Sequence, residues 1–313
     1  MGKLISEKFT AWQAECEDRF RQLQAKEEAL NRLFLGSYGL QDHLSPQVEE
    51  RNVTVHRIFS AREDVPPAMQ GSPYVRTLRD EAVSLLSYAV GCMLGRYSLD
   101  WEGLAYAGGP WRPERYRTFL PEPDNILPIC DDDYFDGDIT GRLVRWTETV
   151  YGGDTLEENL AFLAGALGGK GAPREVLRRY FLTDFYAGHL KTYRNRPIYW
   201  LFDSGRKNGF KALIYVHRYR SDLLARLRTG YVHEQQERYR TQLAHIAADL
   251  QSASGPERAR LMKRQKKLQD QALELRSYEE KIHHLADQNL EIRLDDGIPA
   301  NYALFADVLA KLK

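Results

Sequence analysis

The sequence predicts an α+β chain that is predominantly α-helical, with long amphipathic helices, a small central β-hairpin or sheet and a C-terminal antiparallel helical hairpin. Three observations predict it. Apolar residues recur at steps of three and four over long stretches, two β-prone runs flank an Asn-Gly pair, and a seven-residue apolar repeat fills residues 261–282.

From the N-terminus, Phe9, Trp12, Cys16, Phe20, Leu23, Leu30 and Phe34 form one apolar stripe of a long helix, which Gly36 and Gly39 end. Residues 51–73 contain Asn52, Pro66, Pro67, Gly71 and Pro73 without a sustained period and read as an irregular connection. A second helix follows from Leu78 to Met93, apolar over a wide arc. In residues 101–138 glycine, proline and acidic residues dominate, predicting an acidic loop. Thr155 with Glu158 forms a capping-box pattern ahead of Leu160, and Pro173 suits the first turn of a helix reaching Leu190. The β signal lies in Pro197–Phe202 and Phe210–Val216, with Asn208-Gly209 supplying turn chemistry. Residues 221–251 read as helical. After a turn at 252–256, Leu261, Leu268, Leu275 and Ile282 repeat at seven. Each arm of this hairpin is about 30 residues, roughly 45 Å. A short helix from Tyr302 to Leu312 finishes the chain, and the expected domains are 1–195 and 196–313.

Composition limits the function. With 313 residues, 43% of them hydrophobic and 28% charged, the chain has the make-up of a soluble globular protein. Basic and acidic residues balance at 44 each, so overall charge does not mark a nucleic-acid binder. No apolar run approaches the roughly 20 residues of a membrane span and the start has no signal-peptide stretch, so a cytoplasmic protein without membrane attachment is expected. Cys16, Cys92 and Cys130 are odd in number and far apart, as buried thiols would be, not a disulfide framework or a zinc site.

Few catalytic patterns survive inspection. The run Asp132-Asp133-Tyr134-Phe135-Asp136-Gly137-Asp138 resembles a calcium loop, but placing Gly137 at the sixth position puts Tyr134 and Leu143 where oxygen ligands are required. The sequence has no His-Glu-x-x-His, no Gly-x-Ser-x-Gly and no Gly-x-x-x-x-Gly-Lys, and no catalytic histidine is assigned. Charge is segregated locally. Residues 206–270 hold 15 basic residues against 6 acidic ones, with Tyr215, Tyr219, Tyr231 and Tyr239 interleaved, a pattern that suits a phosphate backbone. The opposing reading is that long solvated helices simply carry charge, or that the basic arms meet the acidic loop or an acidic partner. The candidate DNA contacts are Arg206, Lys207, Lys211, Arg218, Arg220, Lys263, Arg264, Lys266 and Lys267.

Four stretches, EALNRLFLGSYGLQDHL (28–44), SYAVGCMLGRYSLDWEGLAYAGG (87–109), RPIYWLFDSGRKNGFKALIYVHRY (196–219) and KIHHLADQNLEIRLDDGIPANYALF (281–305), resemble the C-terminal region of the adenine-specific DNA methyltransferases of type 1 BREX phage-defence systems, the PglX family. The resemblance implies a much longer enzyme whose amino-terminal part binds S-adenosylmethionine and holds a flipped adenine at an Asn-Pro-Pro-Tyr motif. Neither feature is in this chain: Pro66-Pro67 follows Val65, and Phe34-Leu35-Gly36-Ser37-Tyr38 lacks the second glycine of a cofactor loop. The chain is therefore expected to have no cofactor and no methylation activity of its own, and to be a piece of a longer protein or the product of a split gene. The implied role is a noncatalytic DNA-binding or scaffolding part of the enzyme. DNA, the N-terminal methyltransferase part and other BREX components are its expected partners. The competing roles are a purely protein-interaction module and a metal-dependent nuclease built on the acidic loop.

Overall fold

The computed structural model describes residues 3–312. In chain order its elements are α1 (Ile5–Tyr38), β1 (Arg57–Phe59), β2 (Val75–Thr77), α2 (Leu78–Met93), β3 (Leu127–Pro128), α3 (Ile139–Tyr151), α4 (Leu156–Ala166), α5 (Pro173–Thr183), α6 (Phe185–Thr192), β4 (Tyr199–Asp203), β5 (Lys211–Tyr215), α7 (Leu223–Leu227), α8 (His233–Ser252), α9 (Gly255–Ala286) and α10 (Gly297–Ala303). The fold is predominantly helical α+β. The chain groups into two compact units. The first holds residues up to Ser87 together with Thr147–Pro173; the second holds Tyr88–Trp146 and residues from Arg174 onward. Pieces from both sides of the expected 195/196 division thus lie in the second unit.

In the first unit α1 ends at Gly39, whose left-handed φ of 66° places its N–H on the carbonyls of Gly36 and Leu35. Residues 51–73 are irregular, as read from the sequence, apart from short 3₁₀ turns and β1. Val53, Val65 and Met69 bury against Phe20 of α1, and β1 pairs in parallel with β2, Arg57 opposite Val75. Arg57 fixes this packing: its guanidinium lies 4.9 Å from the Phe20 ring centre and forms ion pairs with Glu17 (2.6 Å) and Glu50 (3.1 Å). Sequence periodicity missed it because each strand has three residues. The capping box does not form. Thr155 ends a 3₁₀ turn and directs its hydroxyl to the carbonyls of Lys3 and Tyr151.

The second unit is built around an antiparallel sheet of order β3-β5-β4. Tyr199 lies opposite Tyr215 and Asp203 opposite Lys211, so the predicted hairpin is present. Its connection spans residues 204–210, close to the 203–209 that separate the two runs in the sequence. β3 arises inside the stretch read as acidic loop; Pro128 is tolerated because the strand is at the sheet edge. Leu309 bridges to Phe202 on the other edge, and the Ala310 N–H donates to the Leu201 carbonyl (2.8 Å). The helix expected over 302–312 therefore comes earlier, as α10, and the chain leaves it through turns over 304–308 before Leu309 meets β4. The helix predicted from Pro173 to Leu190 divides at Asp184 into α5 and α6.

α8 and α9 form the helical hairpin. Their antiparallel sense follows from His233 lying 3.3 Å from Glu279 while Arg258 donates to the Leu250 carbonyl at 2.8 Å. Of the repeat, Leu268, Leu275 and Ile282 are buried and Leu261 is partly buried; with Tyr278 they pack with Phe202, Phe210 and Ile214 of the sheet. A π-helical turn over Arg228–Val232 joins α7 to α8.

Candidate nucleic-acid interface

The β4–β5 loop is fastened to α9. Within the loop the Phe210 N–H donates to the Ser204 hydroxyl (2.8 Å), and the Ser204 N–H to the Phe210 carbonyl (3.0 Å). Glu274 of α9 then accepts three hydrogen bonds, from the Ser204 hydroxyl (2.8 Å), the Lys207 N–H (2.8 Å) and the Gly209 N–H (3.0 Å). From α8 the Tyr239 hydroxyl donates to the Gly209 carbonyl (2.9 Å). Gly209 is needed at this close approach: a Cβ there would sit 2.7 Å from the Gln271 carbonyl oxygen.

This clamp brings Lys207 to the basic face of α9. Lys263, Lys266, Lys267 and Asp270 follow helical spacing of three and four, and with Lys207 and Gln271 they line one open surface depression. Lys207 pairs with Asp270 at 2.8 Å, and the contact holds the lysine above and the aspartate below their ordinary pKa values. Lys263, Lys266 and Arg206 are exposed and form no ion pair among the described residues. Arg264, also exposed, pairs with Asp132 at 2.9 Å, and Lys267 with the nearly buried Asp131 at 2.5 Å.

The other candidates lie elsewhere. Lys211 is buried, and its ammonium pairs with Asp203 across the two strands at 2.6 Å. Arg218 donates to the carbonyls of Leu94 (3.2 Å) and Pro123 (3.4 Å), and its guanidinium lies 4.3 Å from the Trp111 ring centre. These two side chains are engaged within the unit, so they leave the set of cations open to a ligand. Arg220 is exposed, 3.5 Å from Asp222. The four interleaved tyrosines are structural. Tyr215 and Tyr239 are buried, while the hydroxyls of Tyr219 and Tyr231 bind the Leu290 carbonyl (2.8 Å) and the Asp124 carboxylate (2.7 Å). No open face remains on Tyr215 or Tyr239 for base stacking.

Arg178 organises the acidic loop. It binds the carboxylates of Asp133 and Asp138 and the carbonyls of Cys130 (3.2 Å) and Asp132 (3.1 Å). Burial raises the pKa of Asp138, against the opposing pull of Arg178 and the Gly141 N–H. Carboxylates of this loop thus face cations. Among the described residues no group of three or more His, Cys, Asp and Glu is placed to hold a metal ion. The three cysteines are buried free thiols. Cofactor motifs fare no better: Phe34–Tyr38 is the last turn of α1 rather than a glycine loop, and Pro67 opens a 3₁₀ turn behind the buried Val65. These residues do not fit S-adenosylmethionine, and no chemistry is assigned to them.

Sequence reasoning found the cations but missed their organisers, Glu274 and Gln271. The signal was present as a carboxylate at 274, four residues beyond Asp270 on the same face as the lysines, but nothing local links it to a loop 65–70 residues earlier.

No family model matches the chain. Among curated proteins it is 41% identical over 300 residues to the adenine-specific methyltransferase PglX of Lacticaseibacillus casei, covering 94% of this chain and 24% of that protein. It is 42% identical over 251 residues to the adenine-specific methyltransferase BrxX of Escherichia coli O9:H4, covering 75% of this chain and 21% of the relative. The chain spans about a quarter of the length of the relatives it matches, in the C-terminal region. It matches the C-terminal region of the PglX and BrxX adenine-specific methyltransferases of BREX systems. No helix among the described residues is long and apolar enough to cross a membrane.

Proposed function

We propose that this chain is the noncatalytic, DNA-gripping C-terminal part of a BREX site-specific adenine-N6 DNA methyltransferase acting in the cytoplasm, in phage defence. The observation that carries the reading is the gathering of Lys207, Lys263, Lys266 and Lys267 around one open depression, with Arg264 on the same helix. Extruding an adenine from duplex DNA costs a few kcal/mol of unstacking. A grip on the flanking backbone supplies contacts that hold the distorted duplex in place. Phosphate contacts of this kind set position and carry no sequence information, so base reading and binding of S-adenosylmethionine belong to the parts of the enzyme ahead of this region.

Fluorescence anisotropy with duplex DNA across a salt series tests the grip. Neutralising about four phosphates gives a log–log salt slope near −3.6, or about a 150-fold loss of affinity between 50 and 200 mM salt. Replacing Lys263, Arg264, Lys266 and Lys267 with glutamate should abolish binding. Absence of binding at low salt, or binding indifferent to salt, refutes the grip and favours a module that works only through protein contacts.

A further inference from the structure

The apolar stripe of α1 outruns the core that covers it. Cys16 and Phe20 are buried, and Leu23 packs beside them. The same stripe continues at about 100° per residue through Leu30 and Phe34, which are 51% and 55% exposed, with Leu33 at 70% and Tyr38 at 73% alongside. Leu40 and Leu44, in the turns after the helix, are exposed as well. Another face of this half of α1 is covered: Gln24 donates to the Val48 carbonyl (2.8 Å), Asn31 to the Pro46 carbonyl (3.2 Å), and Glu28 accepts the Val48 N–H (3.2 Å). One side of the helix is therefore docked onto its own chain, while four large apolar side chains of the helix and two of the turns after it stay exposed. At roughly 100 Å² each they expose on the order of 600 Å², at the upper end of what a monomer shows and near one side of a standard protein interface.

We propose that this face of α1 is the docking surface for the part that precedes the matched region in PglX. The relatives have about three quarters of their length outside the match, and the match lies in their C-terminal region. In PglX, whose match covers 94% of this chain, the preceding part therefore joins at the α1 end, where a covalent tether holds it at high effective concentration. The exposed apolar side chains belong to α1 and the turns after it, and the proposal uses none of the lysines of α9.

The test is co-purification and titration of the whole chain with the amino-terminal portion of Lacticaseibacillus casei PglX that lies ahead of the matched region. Size-exclusion chromatography with light scattering follows the chain alone. A one-to-one complex is expected, weakened at least tenfold by Leu33→Glu with Phe34→Glu and unchanged by Lys263→Glu with Lys266→Glu. Because both apolar positions are exposed, the variant should melt with the parent; Leu33→Gln with Phe34→Gln gives a milder second measurement. Failure to form a complex, or a complex indifferent to both apolar variants, overturns the proposal. A stable dimer of the chain alone that Leu33→Glu with Phe34→Glu converts to monomer also overturns it, in favour of a second copy. None of these results depends on DNA binding.

Discussion

Glu274→Ala should unfasten the β4–β5 loop from α9 without touching a basic side chain. The carboxylate accepts hydrogen bonds from the Ser204 hydroxyl and the N–H groups of Lys207 and Gly209. Hydrogen bonds to a charged acceptor contribute about 1.5–3 kcal/mol each. Lys207 is exposed and Ser204 half-buried, so water replaces the acceptor that each donor loses. The Gly209 N–H is buried in the loop and is left without a partner, at about 1–3 kcal/mol. The expected loss is about 2–3 kcal/mol in a unit of about 200 residues, or ~5–10 °C in melting temperature. Glu274→Gln retains one acceptor oxygen and should cost about half as much. Thermal and urea denaturation measure both, with hydrogen exchange at Gly209 reporting on the loop itself. A melting temperature within 1 °C of the parent would refute the clamp.

Two further perturbations separate the roles of the charges. Asp132 pairs with Arg264 on the exposed surface, so Asp132→Asn should release one cation to DNA and steepen the salt slope by about 0.9; an unchanged slope by anisotropy rejects that competition. His189 is buried against Tyr199, whose N–H donates to its Nε2 at 3.1 Å, and burial, aided by Arg96, pushes its pKa down to about 3. The unfolded imidazole titrates near 6.5, so the stability conferred by the neutral ring is complete above that pH. It then falls by about 1.4 kcal/mol per pH unit toward pH 3, because only the unfolded chain takes up the proton. Urea midpoints from pH 7.5 to 4.5 should show a shallower acid decline in His189→Gln than in the parent; identical declines reject the assignment.

How far the sequence could be read depended on the range of the interactions. Leu268, Leu275 and Ile282 announce the α9 seam because the repeat is local, and the β4–β5 hairpin is legible from two β-prone runs and an Asn-Gly. β1, β2 and β3 were not legible: strands of two or three residues carry no alternation, and partners such as Val75 for Arg57 or Leu213 for Leu127 are fixed by distant packing. The same limit applied to the site. Lys263 to Lys267 are contiguous and read directly, whereas the burial of Lys211 depends on Asp203 lying opposite it, and the engagement of Arg218 depends on Trp111 and on the carbonyl of Leu94. The apolar stripe of α1 was correctly placed on one face. Its division into a covered half and an open half depends on residues 46–69, for which the sequence offered no period.

The interleaving of the two units bears on how the polypeptide emerges from the ribosome. The first unit takes its second contribution from Thr147–Pro173, after 59 residues that belong to its neighbour have already been made. Neither unit can finish in strict order of translation: the first waits for Pro173, and β3 waits until β5 has been synthesised. Nascent Leu127 and its neighbours are therefore obliged to remain unpaired in the interval, the period when a holdase would be most useful.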